Sequence, residues 1–304
     1  MLSLVAIVVV GLLLVPESAD AWGPITHLAH GSEVLKGVTI LGVGLQQLLR
    51  RFPTEYLYGC IGADITLGKK YTGPMQAHCH SWELAWQLLD EADSEAERAF
   101  GYGYLSHLAA DVYSHNHFVP SQLVVSYRTR TLRHIYWEAR FDSLQDPEYR
   151  EIVSDLRRRS FPECDKLVER VVARTLFSFR MNKRIFDNVL ALHDWDNWHR
   201  FMASVSTRSR HAFAQPLVDQ YNRACRDNIQ DLLRRGKRAD CQAADPTGLD
   251  AITAATRVRR ALKAMQRRGE ITPEIEERIR HIDDRADLAM VLDAGDTAAA
   301  RAIG

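Results

Sequence analysis

Two short pairings carry the strongest chemical signal in this 304-residue chain: His107-Leu-Ala-Ala-Asp111 and His134-Ile-Tyr-Trp-Glu138. Side chains four apart on a helix project from one face, so each pair can grip a cation between an imidazole and a carboxylate. His117 follows Asp111 by six residues, shortly before Pro120. If the helix ends there, His117 leaves the face of the first pair and serves a second ion with His134 and Glu138. Upstream lie His27, Asp64 in the loop-like Gly62-Ala63-Asp64-Ile65, and a choice between His78 and His80. All these donors are imidazole nitrogens and carboxylate oxygens, a set suited to zinc. One helical His/acid pair is ordinarily a solvated or salt-bridged surface pair. Two in tandem, with further histidines in order, are hard to explain that way.

The elements that must position these groups read as helices. Apolar residues recur at three- and four-residue intervals over Ser81–Ala92, Ser94–Ser114, Thr129–Leu144, Asp165–Ala191 and Pro216–Arg234. Strict alternation and hairpin signals are scarce, so the expected class is all-α, a multi-helix domain. A break near Ala243-Ala244-Asp245-Pro246-Thr247-Gly248 suggests a linker. The expected organisation is therefore a catalytic-type domain over 22–242, then a linker and a helical extension over 243–304. Thr272-Pro273-Glu274 has the pattern of a helix start.

Residues 1–21 read as a signal peptide. Leu2 to Val15 is apolar but shorter than the roughly 20 residues a spanning helix needs, and Ala19-Asp20-Ala21 places small residues where a signal peptidase reads. No Lys or Arg precedes the apolar run. Cleavage after Ala21 exports the chain, periplasmic or secreted, and makes Trp22 the N-terminus with a free α-amine; without cleavage the leader is a membrane anchor. Lys plus Arg and Asp plus Glu both number 39, for a formal net charge of zero, which provides no global attraction for polyanions. Of five cysteines, Cys60 with Cys79 and Cys225 with Cys241 are candidate disulfides, and Cys164 is left over.

Taken in order, an N-terminal Trp22, His27, Asp64, His80, His107-x-x-x-Asp111, His117 and His134-x-x-x-Glu138 resemble the zinc-dependent phospholipase C family. They also resemble the related three-zinc single-strand nucleases and 3′-nucleotidases. The motif likeness covers Trp22 to Glu138; the helical remainder to about Cys241 is similar in general character only. The resemblance implies three Zn2+ ions. Asp64, His80, His107 and Asp111 would hold the first, and His117, His134 and Glu138 the second. The α-amine and carbonyl of Trp22, His27 and the shared Asp111 would hold the third. It prefers His80 over His78 because His80-Ser-Trp-Glu83 matches the family's His followed three on by an acid.

On that likeness the activity is hydrolysis of a phospholipid or related phosphodiester, with Asp64 and Asp111 as the catalytic carboxylates. Ions sharing Asp111 would lie about 3.5–4 Å apart and generate a nucleophile from water near neutral pH. His-x-x-x-Glu, as opposed to His-x-x-x-Asp, looks more like the phospholipase branch. Ile25 stands where the phospholipases carry an acid for choline, and Ile65 where they place an aromatic, so the headgroup pocket departs from the family pattern. The alternatives are a nuclease or 3′-nucleotidase acting on nucleic acid, and a non-catalytic, membrane-tethered bundle held by zinc. His30 and His115 read as supporting or surface residues, His115 being able to orient a neighbouring ligand. His193-Asp194-Trp195-Asp196-Asn197-Trp198-His199 reads as an aromatic cluster or an interfacial patch for peripheral membrane contact. Arg257 to Arg268 reads as a solvated helix face.

Overall fold

The computed structural model describes residues 22–66, 79–129, 134–172, 177–193, 215–280 and 282. The leader, His78 and the segment 194–199 lie outside the described residues. Among those described, every regular element is helical, so the fold is all-α. At its centre runs α5, Glu95–Tyr113 (α1 to α4 precede it: Pro24–Lys36, Val43–Arg51, Pro53–Gly59 and Trp82–Asp90). Ser94 starts α5 through a capping box: its hydroxyl accepts from Glu97 N–H at 3.1 Å while the Glu97 carboxylate accepts from the Ser94 N–H. From Ala99 to Val112 nearly every side chain is buried. A helix so enclosed cannot be amphipathic, and α3, α4 and α11 (Gln215–Arg235) pack around it.

The α3–α5 crossing is close because glycine faces glycine. A Cβ on Gly59 would run into the Phe100 carbonyl, and one on Gly103 into the Tyr56 carbonyl. The approach delivers the Cys60 carbonyl, just past the end of α3, to the His107 ring one turn further along α5, at 2.9 Å.

The helical path does not end before Pro120, contrary to the sequence expectation. The chain continues through a π-helical turn, Ser114–Phe118, into α6, Val119–Val125. Pro120 explains the turn. A proline inside an α-helix lacks its N–H and clashes with the carbonyl four residues back; the wider π-turn, in which the Val119 N–H reaches Ser114 O, absorbs that conflict without ending the helix.

Further on come α7 (His134–Asp142), α8 (Glu148–Arg158), α9 (Pro162–Val171) and α10 (Phe179–His193). The span Asp165–Ala191, read as one helix, is thus two. Val172 leaves helical geometry at φ −83°, ψ 78°, and Ser178 begins the next helix, its carbonyl accepting from the Met181 and Asn182 N–H groups. Periodicity persisted across the break, and no Gly or Pro marked it.

The first helix is secured from across the molecule. Gly23 at its N-cap offers no side chain, and Asp142 at the end of α7 accepts from the Thr26 N–H at 2.7 Å instead. This orients the segment carrying Trp22 and His27. Asp142→Ala is expected to cost about 1–2 kcal/mol, as for loss of a good N-cap, with Asp142→Asn costing less because an acceptor remains. Urea denaturation of the two variants checks this; equal midpoints for Ala and wild type would remove the capping role.

The segment 243–248 is a fastened loop and does not behave as a free tether. Trp82 Nε1 donates to Ala244 O at 2.9 Å, and Asn116 Nδ2 donates to Asp245 O at 2.9 Å. Beyond it α12 (Leu249–Arg268) lies on α6, and α13 (Pro273–Arg280) starts where the Thr-Pro-Glu signal placed it. Arg259, within the arginine-rich stretch, is not simply solvated: its guanidinium donates to the carbonyls of Leu123, Ser126 and Thr129 at 2.8–3.1 Å, closing the C-terminus of α6. All five cysteines are free and buried, so neither candidate disulfide forms. Their positions are packing positions, where a thiol serves as a small hydrophobe.

Candidate metal centre

Four elements converge on Asp111. The fifth helix brings His107 and Asp111 on one face, α1 brings His27, the 3₁₀ turn Gly62–Ile65 brings Asp64, and the residue before the Ser81 N-cap of α4 is His80. Asp111 and His107 are fully enclosed and His27 and His80 nearly so; the Asp64 side chain, 20% exposed, is the one opening to solvent.

The spacings are those of ligands around an ion. His80 Nε2 stands 3.3 Å from Asp111 Oδ2 and 3.4 Å from Asp64 Oδ1, and His107 Nε2 stands 3.2 Å from Asp111 Oδ2 and 3.9 Å from Asp64 Oδ1. The two imidazole Nε2 atoms are 3.1 Å apart. Bond lengths of about 2.0–2.2 Å around tetrahedral zinc set ligand–ligand edges of roughly 3.3–3.6 Å; the donor atoms of His80, His107 and Asp111 lie within 4.8 Å of one another, as do those of His27, Asp64 and His107, so each trio can hold an ion. The other oxygen of the same carboxylate, Asp111 Oδ1, faces His27 Nε2 at 3.3 Å. His27 and His107 stack at 3.9 Å between ring centroids, an arrangement that points their nitrogens to opposite oxygens of one carboxylate.

Neither Asp111 oxygen, nor His27 Nε2, has a hydrogen-bond partner although all three are buried. Leaving such atoms unsatisfied is costly, and a shared cation resolves the cost for all of them. Burial opposes ionisation of Asp111, yet the imidazoles of His107, His27 and His80 outweigh it and hold the carboxyl well below the usual carboxylate range. Burial, reinforced by His107, lowers the His27 pKa. An ionised carboxylate with a neutral imidazole is the protonation state that metal binding requires.

The outer contacts orient the rings. His107 Nδ1 donates to the Cys60 carbonyl, which leaves Nε2 as the free donor atom. His80 Nδ1 lies 3.4 Å from Cys79 Sγ, and that thiol approaches Thr66 O at 3.9 Å. Trp22 is buried, its indole 4.0 Å from the Phe141 ring and 4.7 Å from Phe118. His30 sits one turn beyond His27 and pairs with Asn222 Oδ1 at 2.9 Å; burial brings its pKa down to about 4, so it remains a neutral supporting residue.

Of the second group of expected ligands, Glu138 and His117 have described side chains. The side chain of His134 lies outside the described residues, while Glu138 is buried. His117 is half-buried, its ring 5.2 Å from that of Tyr113. His115 also approaches Glu138, its Nε2 3.8 Å from Oε1. The signal for it was present in the sequence: His107, Asp111 and His115 are spaced by four, one stripe of one helix. The assumed helix end at Pro120 concealed it.

A family model described as zinc dependent phospholipase C matches residues 26–211. No curated protein and no solved structure gives a significant match.

Proposed function

Since the chain belongs to the zinc-dependent phospholipase C family, we propose that it is an exported hydrolase of phospholipids or related phosphodiesters, with three Zn2+ sites around Asp111. Family membership supports zinc dependence and a phosphodiesterase-type activity. The observation that carries the finer reading is the Asp111 carboxylate, whose two buried oxygens face different imidazoles without a hydrogen bond to either.

Asp64, His80, His107 and Asp111 would hold one ion. His27 and Asp111 Oδ1 would hold another, with the backbone of Trp22 once the leader is cut. Glu138 with His134 and His117 would hold the third. When bound, zinc supplies neutralisation of phosphoryl charge and water acidified to near neutral pH. Among the residues, Asp64 faces solvent and can accept a hydrogen bond or a proton from an attacking water. Asp111 stays ionised and keeps His27 and His107 on opposite sides of it. The Cys60 carbonyl holds His107 in one tautomer, so its Nε2 does not wander. The enclosed histidines exclude water from all but the Asp64 side, where a phosphodiester would approach.

Zinc-loaded, leader-processed protein offered a short-chain phospholipid, single-stranded DNA and a 3′-nucleotide tests the reading. Turnover of the phospholipid well above both nucleotides is expected. Preference for DNA or the 3′-nucleotide would move the chain to the nuclease-type reading, and no turnover of any phosphoester at full zinc content would remove the enzymatic one.

A further inference from the structure

We propose that the outward face of α12 is a docking surface for an anionic lipid membrane. This helix lies beyond the stretch that the family model matches, which ends at residue 211. Docking needs no turnover, so it stands apart from the hydrolase reading.

The two sides of α12 differ in kind. Ala255, Val258 and Leu262 are buried, Ile252 and Met265 are half-buried beside them, and the helix lies against α6 and the π-turn. The other side repeats at helical spacing. Leu249 and Arg267 are 18 residues apart, five full turns, so they share one direction. Arg260 lies seven before Arg267, and Lys263 three after Arg260, which sets both beside that line. One face, about 27 Å long at 1.5 Å per residue, thus carries an apolar side chain at its start and three cations along it.

Those cations are not used within the fold. Helix α12 has six basic residues and one acid, Asp250, in a chain whose formal net charge is zero. Arg259 turns inward to the end of α6, and Arg268 pairs with Glu270 at 2.6 Å. Glu276 bonds to Arg128. Among the described residues, Arg260, Lys263 and Arg267 make neither a hydrogen bond nor an ion pair. Like charges at such spacing repel one another. Burial, reinforced by the guanidinium groups of Arg259 and Arg267, lowers the Lys263 pKa. A surface of opposite charge relieves this repulsion.

Leu249 favours a membrane over a nucleic acid as that surface. It is 53% exposed on the same face as the cations. Its position is fixed from behind: Gly248 adopts φ +55°, and a Cβ there would collide with the carbonyl and Cβ of His115. Glycine is required on both counts, space and conformation. An aliphatic side chain held at this point gains by entering the boundary between headgroups and acyl chains, whereas a phosphate backbone offers it nothing comparable. The cations alongside are drawn to anionic headgroups within a Debye length of the leaflet.

The test is co-sedimentation of the full, zinc-loaded, leader-processed protein with two kinds of vesicle. One is phosphatidylcholine alone, the other phosphatidylcholine and phosphatidylserine at about 2:1; headgroup release is followed in the same samples. Tighter binding to the serine-containing vesicles is expected, weakening as salt rises from about 0.1 M to 0.5 M. The triple variant Arg260→Gln, Lys263→Gln, Arg267→Gln is expected to lose about 100-fold in partitioning at low salt. A control triple at exposed positions elsewhere, Arg50→Gln, Arg98→Gln, Arg234→Gln, changes net charge equally and is expected to bind as wild type. Leu249→Ser is expected to weaken binding by an amount that salt does not alter. Circular dichroism establishes that each variant is folded. Equal binding to both vesicles, equal loss in the two triples, or displacement from vesicles by single-stranded DNA at equal phosphate would overturn the proposal. Docking without release of any headgroup would keep this surface and remove only the enzymatic reading.

Discussion

Asp111→Asn is expected to abolish hydrolysis and to strip more than one zinc from each chain. The substitution preserves shape and removes the charge that both halves of the centre share: Oδ2 toward His80 and His107, Oδ1 toward His27. An amide also brings an N–H group against nitrogen donors, and one of its two heads can no longer bind a cation. Loss of transition-state charge stabilisation worth several kcal/mol corresponds to a rate reduction of about 10³-fold or more at roughly 1.4 kcal/mol per decade. Turnover and metal analysis on one preparation check both arms. Activity persisting at full zinc content would exclude the bridging role.

Gly103→Ala is expected to act at a distance on the same site. The added methyl meets the Tyr56 carbonyl, and neither backbone can step aside without separating α3 from α5. Overpacking of this kind costs about 1–3 kcal/mol, sometimes more, and here the upper end applies because rigid backbone is struck. A melting temperature lower by about 6–12 °C follows for a domain of this size. The Cys60 carbonyl moves with α3, so His107 loses its orienting acceptor and zinc affinity should fall about 10–100-fold, the usual effect of losing such a partner. Thermal melts with a chelator competition measure the two effects. An unchanged melt would show that the crossing has slack.

Much of this was legible beforehand because it rests on side chains at fixed intervals. Ser94 and Glu97 announce a helix start, and His107 with Asp111 announce a shared face; both follow from local geometry that the chain keeps once folded. Asp64 and His80 were legible by likeness of order, and the structure brings them within ligand distance of that face. What escaped has a common cause: it depends on backbone or on accommodation. The carbonyls of Cys60 and Pro246, which orient His107 and His115, have no side-chain signature. Pro120 reads as a stop, although a π-turn lets the helix pass through it. The break between α9 and α10 falls within unbroken helical periodicity, and the cysteines pack where an oxidised pair was expected.

The hydrogen bond from His115 to Pro246 spans 131 residues, which has a consequence for how the molecule comes into being. During synthesis, His115 emerges long before the carbonyl that fixes its tautomer. Contacts of such sequence separation form late, because the intervening chain must be closed first. An emerging N-terminal portion can gather Asp64, His80, His107 and Asp111, all of which precede residue 112, but not the acceptor for His115. The contact that fixes the His115 ring is therefore reserved for a finished chain.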